Sequence, residues 1–331
     1  MKHANIALFV PHEGCPHRCV FCDQRTISGQ TQRVTEADID KAVDIAVRSP
    51  AFSPQDTEIA FFGGSFTAID REYMLSLLRG AEKYVRNGTV RGIRCSTRPD
   101  AIDDEVLDIY SSFGGTTIEL GCQSMDDRVL AMNRRGHTSE DTERASRLIK
   151  AHGLSLGVQM MTGMYGDTEA GAVETAEKLI SLEPECARIY PTIVLDNTAL
   201  GVLYKRGEYK AQTLEAAVAL CAKLLRMFEE KNISVIKLGL HASNDVGGNA
   251  LAGPYHPAFR ELCESRIYLE NAEKLLSLKP AGEYALMVSS REISKATGQK
   301  KSNISLLAQR GWHVRFVQSE EMEKYELRLV D

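Results

Sequence analysis

Three cysteines, Cys15, Cys19 and Cys22, fall within eight residues of a 331-residue chain. Gly14 and Pro16 bracket the first, so the segment reads as a loop. It follows the apolar run Ile6 to Val10, which reads as a buried strand. Three soft thiolates in one loop hold three corners of an iron–sulfur cube. No fourth cysteine lies nearby, which leaves one iron free to bind something else. The same residues support other readings. His12 or His17 would complete a Cys3His zinc site, and Cys19 with Cys22 would make a redox pair. Plain burial as small apolar residues suits three thiols in a Gly/Pro loop poorly.

The spacing Cys-x3-Cys-x2-Cys, with Phe21 before the last cysteine, resembles the signature of the radical S-adenosylmethionine enzymes. That resemblance implies a 4Fe–4S cluster on Cys15, Cys19 and Cys22, with S-adenosylmethionine chelating the fourth iron. It implies reductive cleavage to a 5′-deoxyadenosyl radical that abstracts hydrogen from a substrate. It also implies an electron donor of the flavodoxin or ferredoxin type, and it places Phe21 at the cofactor. Gly63-Gly64-Ser65-Phe66 resembles the family's glycine motif, whose backbone approaches the amino group of S-adenosylmethionine; a Cβ would block that approach. Ser65 stands where the common form has Glu. Read without the resemblance, this is a strand-to-helix turn.

Glu119-Leu-Gly-Cys-Gln-Ser and Asn133-Arg-Arg-Gly-His-Thr resemble a paired motif of the Elongator-like, methylthiotransferase and coproporphyrinogen oxidase branches. By that resemblance Gln123 lies against the ribose, and one of Arg134 and Arg135 holds the carboxylate of S-adenosylmethionine bidentately. The Arg-x-His pattern favours Arg135. In isolation the two arginines read as a solvated helix end, and His137 as a cap or a packed histidine. Ile189-Tyr-Pro-Thr and the stretch Ala252 to Arg266 extend the resemblance to the Elongator catalytic subunit. It implies an RNA base, in transfer RNA, as the substrate. The other readings are radical chemistry on a small molecule such as a tetrapyrrole, and a non-enzymatic module bearing zinc or a cluster. The short cysteine spacing departs from the Elongator pattern. The chain is also expected to leave no room for an acetyltransferase domain.

What positions these residues is a strand followed by a helix, repeated six times with short connections, which means a parallel sheet. The notable residues follow the carboxyl ends of strands: Cys15, Gly63, Arg98, Gln123, and Gly163 with Tyr165. In open sheets and barrels alike, that edge builds active sites. The pattern leaves the two closures open, and the resemblance implies a partial (β/α)6 TIM-like barrel with a smaller C-terminal α+β extension. The expected divisions are a barrel core over 1–200, a helical and loop extension over 201–280 that completes it, and a small α+β segment over 281–331. Met160, Met161 and Met164 are expected to line the cavity, and Arg98 either faces it or forms an ion pair.

The net charge of −5 argues against indiscriminate nucleic-acid binding. No run is long enough to span a membrane and no signal peptide is visible, so the expected location is the cytoplasm. The scattered Cys95, Cys122, Cys186, Cys221 and Cys263 form no disulfide framework. One stretch runs against the overall charge: Arg291 to Arg315 holds six basic residues and one acid, Glu292. Lys300 and Lys301 precede a helix that Ser302 is expected to cap, and Trp312 with His313 offers a stacking surface. This is the expected contact with a polyanion. The oligomeric state is not legible.

Overall fold

The chain is described by a computed structural model over residues 4–10, 15, 19–23, 32–240 and 249–330. His12, His17, Gly14 and Pro16 of the cysteine loop, and Gly247 and Gly248, lie outside the described residues.

Strands β1 (Ala4–Val10), β2 (Thr57–Gly63), β3 (Gly92–Thr97), β4 (Gly115–Gln123), β5 (Ser155–Thr162) and β6 (Cys186–Pro191) form one parallel sheet in chain order. Helices α1 (Glu36–Val47), α2 (Arg71–Arg86), α3 (Asp104–Ser112), α4 (Asp127–Met132), α5 (Ser139–Ala151) and α6 (Glu169–Ser181) fill the connections. Their starts follow local chemistry. Thr35 and Asp38 close a capping box on α1, Asp70 and Asp103 cap α2 and α3, and Thr138 with Asp141 closes a second box on α5. The sheet then differs from a six-strand reading. A seventh parallel strand, β8 (Ser234–Leu238), pairs with β6 after the short β7 (Val194–Leu195) and helices α7 (Ala199–Lys205) and α8 (Leu214–Glu229). With β1 at one edge and β8 at the other, the sheet is a partial barrel that does not close.

Alternation sorts the strand residues into two sets. Ile59, Phe61, Ile93, Cys95, Ile118, Leu120, Leu156, Val158 and Ile189 join Leu77, Leu107, Ile149 and Leu179 of the helices in one core. Met160 belongs to this core, as a methionine stripe usually does, and not to the cavity edge. Met161 is one residue on and half-buried, on the opposite face.

The Gly/Pro stretch after residue 248 is not all loop. Ala250–Ala252 forms strand β9, antiparallel to β7. Gly253 makes the pairing possible: at φ +112°, a Cβ there would lie 2.8 Å from the Thr192 carbonyl oxygen. Helix α9 (Phe259–Leu276) leads to the C-terminal unit. There β10 (Gly282–Ser289), α10 (Ile293–Thr297), α11 (Ser302–Gln309) and β11 (Trp312–Ser319) are joined by a strand not read from sequence, β12 (Arg328–Val330). β10 pairs parallel with β11 and antiparallel with β12. Trp312 is not a free stacking surface. It packs against the small core of Leu269, Leu286, Leu307 and Val314, and its indole N–H donates to the Lys279 carbonyl at 3.3 Å. Ser302 is the first residue of α11 rather than its cap; Lys301 holds that position with left-handed backbone and no side-chain hydrogen bond.

Candidate active site

The cysteine loop follows β1 in sequence, and Arg135 ties its Cys19 to β4. Cys15, Cys19 and Cys22 are half-buried free thiols. Burial pushes Cys22 up to about 12, reinforced by the negative charge Cys19 and Cys15 would carry. Burial and Cys19 also raise Cys15, against the pull of Arg98 and Arg135. Both thiols are therefore held toward their protonated form, and a bound cation would favour the thiolate. Two backbone bonds strap the loop between its last two cysteines. The Val20 N–H donates to the Asn133 carbonyl at 3.2 Å, and the Leu200 N–H donates to the Val20 carbonyl at 2.7 Å. Asn133 is itself buried, donating from Nδ2 to Val129 and Tyr165 carbonyls at 2.8 Å each.

Arg135 joins this loop to the sheet. Its Nη1 donates to Cys19 Sγ at 3.1 Å and its Nη2 to the Gly121 carbonyl at 2.7 Å. Arg135 is only 9% exposed, whereas its neighbour Arg134 is exposed and left-handed at φ 54°. Gly121 leaves the room: a Cβ there would meet Gln123 Nε2 at 3.1 Å and Arg135 Nη2 at 3.5 Å. Gln123 sits at the end of β4 with φ 65°, a left-handed backbone that is uncommon outside glycine. His137 is buried, and its Nε2–H donates to the Cys122 carbonyl at 3.1 Å. Burial and Arg135 push its pKa down to about 4, so it is a neutral packed histidine near pH 7.

Gly63 ends β2 at φ +119°, and a Cβ on it would lie 2.2 Å from the Val10 carbonyl oxygen. The Gly64 N–H donates to the same oxygen at 3.3 Å. Ser65 is fully buried. Its hydroxyl is taken up by Thr97 Oγ1 at 3.0 Å and the Arg98 N–H at 3.0 Å, so it fixes the glycine turn against the end of β3. Arg98 is an ion pair: its Nε and Nη2 donate to Asp100 at 2.9 and 2.6 Å. Phe21 packs in an apolar group with Tyr165, Val194, Leu200 and Tyr209. Past the end of β5, a cavity of about 340 Å³ is lined by Gly163, Met164, Tyr165, Asp167, Tyr209 and Gln212 among others.

The other face of the strands carries residues that sequence reasoning left without a role. Glu119 accepts two bonds from Arg188, one from Arg94 Nη1 at 2.8 Å and one from Gln159 Nε2 at 2.9 Å. Glu58 accepts from Arg94 Nε at 2.7 Å and from the Thr116 and Thr117 hydroxyls at 2.6 and 2.7 Å. Arg188 stacks on Phe62 at 4.7 Å. Burial alone would raise both carboxyl groups. The arginines outweigh it, holding Glu119 below its ordinary value and Glu58 down at about 2. Lys237 on β8 is pushed down by burial and by Arg188. Five of the seven strands of the sheet carry one charged residue each, Glu58, Arg94, Glu119, Arg188 and Lys237; the sequence shows these charges but not their pairing.

These residues permit a test of the implied cofactors. Among the described residues, no three His, Cys, Asp or Glu side chains converge on a single metal ion. A 4Fe–4S cube does not need that convergence, because its thiolates bind separate irons. Arg135 Nε and Gln123 Oε1 are buried with no hydrogen-bond partner among the described residues. A buried donor and a buried acceptor left open on two side chains that both approach Gly121 suit a polar ligand carrying a carboxylate and hydroxyls. The residues present fit the group.

A partial barrel with a strapped three-cysteine loop at the carboxyl end of its first strand defines a cofactor-dependent barrel enzyme. The profile of the radical SAM superfamily matches residues 9–179, more than half of the chain, and that of the Radical_SAM C-terminal domain matches 184–269. The chain therefore belongs to the radical SAM superfamily. It is 27% identical over 254 residues to the tRNA uridine(34) acetyltransferase of Methanocaldococcus jannaschii, covering 65% of this chain and 47% of that protein. It is 27% identical over 195 residues to Elongator complex protein 3 of Homo sapiens, covering 53% of this chain and 36% of that one. The solved structure of Methanocaldococcus infernus Elp3, deleted at its N-terminus, shares the fold. Its TM-score is 0.60 at 20% identity, over 85% of this chain and 64% of that one. The chain spans about half the length of the tRNA uridine(34) acetyltransferases it matches. No helix among the described residues is long and apolar enough to cross a membrane.

Proposed function

We propose that the chain holds a 4Fe–4S cluster on Cys15, Cys19 and Cys22 and S-adenosylmethionine beside it, and modifies a base of transfer RNA. The observation that carries this reading is Arg135, bonded to Cys19 Sγ on one side and to the Gly121 carbonyl of β4 on the other, with its Nε left open, as is Oε1 of Gln123 on the same strand. When bound, the cluster and S-adenosylmethionine would supply one-electron radical chemistry. The chain's own residues orient and shield. Arg135 holds the carboxylate, Gln123 the ribose, and the backbone at Gly63 and Gly64 receives the amino group. Ser65 keeps that turn in place through Thr97 and Arg98. Phe21 and the apolar group around it exclude water from one flank of the loop. Arg134, being exposed, is assigned no contact with the ligand. A flavodoxin- or ferredoxin-type donor supplies the electron.

Arg135→Ala is expected to weaken S-adenosylmethionine binding on the order of 30- to 100-fold, the equivalent of about 2–3 kcal/mol for a charge-assisted contact. Iron content should be retained. Equilibrium dialysis against the labelled cofactor measures it. An unchanged affinity in Arg135→Ala together with a loss in Arg134→Ala would reverse the assignment within the pair.

The tRNA relatives support an RNA substrate. Mass spectrometry of nucleosides from bulk RNA of a deletion strain tests it. One modified nucleoside should be missing and should return on complementation. An unchanged nucleoside profile would count against RNA.

A further inference from the structure

The C-terminal unit has an arrangement that the radical chemistry does not explain. Strand β10, helix α10, the loop Gly298-Gln299-Lys300-Lys301, helix α11 and strand β11 follow one another, with β10 and β11 paired parallel from Gly282–Trp312 to Ser289–Ser319. Two short helices are joined here through a loop that opens on Gly298 and are flanked by strands, and the loop has the first glycine of the one that KH modules use. In those modules a Gly-x-x-Gly loop clamps the backbone of four single-stranded nucleotides. Here the fourth position of the loop is Lys301.

The loop is built to hold one shape. Gly298 has φ +79°, and a Cβ on it would strike Ser302 Oγ at 2.4 Å. Buried Asn303 donates from Nδ2 to the Ser265 and Ala296 carbonyls at 2.9 and 3.0 Å, tying the helix junction to α9. Lys300 and Lys301 sit on the exposed side with left-handed backbones at φ 52° and 63°.

Folding also sorts the charges of this segment. Lys295 pairs with Glu264 at 2.8 Å and Glu292 at 2.9 Å, and Arg310 pairs with Glu273 at 2.7 Å. Two of the six cations are thus neutralised inside the protein. Arg291, Lys300, Lys301 and Arg315 are exposed, with no ion-pair partner among the described residues. The cations that remain include both residues of the loop. In a chain of net charge −5, this concentration complements a phosphate backbone rather than the protein's own acids.

We propose that residues 282–330 form a KH-like unit that clamps single-stranded RNA at Gly298–Lys301, presenting an unpaired segment of the substrate to the barrel. The proposal rests on the RNA reading above and adds the form of RNA and the residues that hold it.

The test is fluorescence anisotropy of the full chain with a labelled, unstructured oligoribonucleotide at low salt. It compares wild type, Lys300→Glu/Lys301→Glu, and the charge-matched control Arg86→Glu/Lys231→Glu. The loop variant should bind at least about tenfold more weakly, and its log–log salt slope should become shallower by roughly 0.7 for each single-strand phosphate it no longer neutralises. The control should stay within about twofold of wild type, and 5′-deoxyadenosine formation should be unaffected by the loop variant. Absent binding, or equal weakening in loop variant and control, would overturn the clamp. Equal affinity for single-stranded DNA of the same sequence would overturn its assignment to RNA. Transfer RNA bound equally by wild type and loop variant would overturn the clamp and leave the RNA substrate standing. Loop-dependent binding with an unchanged nucleoside profile in the deletion strain would support the clamp and remove the substrate reading.

Discussion

Alanine at any one of Cys15, Cys19 or Cys22 is expected to abolish cluster assembly and reduce cleavage of S-adenosylmethionine to background. The three thiols share one loop whose middle is strapped by Asn133 and Leu200, so none can be replaced by shifting the chain. Cys95 and Cys122 are the controls. Both are fully buried, and both face the helix layer in the main core, where burial pushes each up to about 12. They behave as small apolar residues, and alanine there should leave iron content unchanged. Iron and acid-labile sulfide per chain, measured after anaerobic reconstitution, decide the matter. A full complement of iron in all three loop variants would show that the cluster sits elsewhere.

Glu119→Ala is expected to cost about 3–5 kcal/mol of folding stability, because it leaves two buried guanidinium groups without their shared carboxylate. Arg94 still reaches Glu58, but Arg188 is deprived of the carboxylate it pairs with and Gln159 of an acceptor. An exposed pair gives the comparison. Arg71 and Glu105 stand 3.3 Å apart with their side chains 41% and 74% exposed, so Glu105→Ala should cost under about 1 kcal/mol. Urea unfolding of the two variants against wild type measures the difference. If Glu119→Ala does not accumulate as folded protein, the near-isosteric Glu119→Gln is measured, and it too should be destabilised well beyond Glu105→Ala. Similar losses in both positions would mean that the charged face is solvated and contributes little to holding the sheet together.

These two expectations draw on different kinds of information. The cysteine loop, the glycine turn and the Gln123 and Arg135 positions stand out in the sequence because each belongs to a short run of neighbouring residues with an unusual composition. The alternation of strand and helix was legible for the same local reason: Thr35, Asp70, Asp103 and Thr138 all cap the helices they precede. The Glu119 network was not, because its members come from separate strands and meet only through sheet register, as Gln159 beside Arg188 and Arg188 beside Lys237 show. Strand β8 lies outside the six strand–helix repeats, since two helices and the β7 segment separate it from β6, so its place as the seventh member of the sheet appears only in the fold. β9 was hidden in a Gly/Pro stretch that suggests only a loop. The charge of the C-terminal segment misled in part. Read along the chain it has six cations and one acid, but α9 supplies Glu264 and Glu273, which no reading of the segment alone includes.

The central claim is that this loop carries a cluster with a site open to S-adenosylmethionine. Low-temperature electron paramagnetic resonance of the anaerobically reconstituted and reduced chain, recorded before and after adding S-adenosylmethionine, tests it most directly. The expected result is a reduced 4Fe–4S signal that changes when the cofactor is added in wild type, remains unchanged in Arg135→Ala at the same cofactor concentration, and is absent in Cys19→Ala. A colourless protein that binds zinc in place of iron, or a cluster whose signal is indifferent to S-adenosylmethionine in wild type, would contradict it.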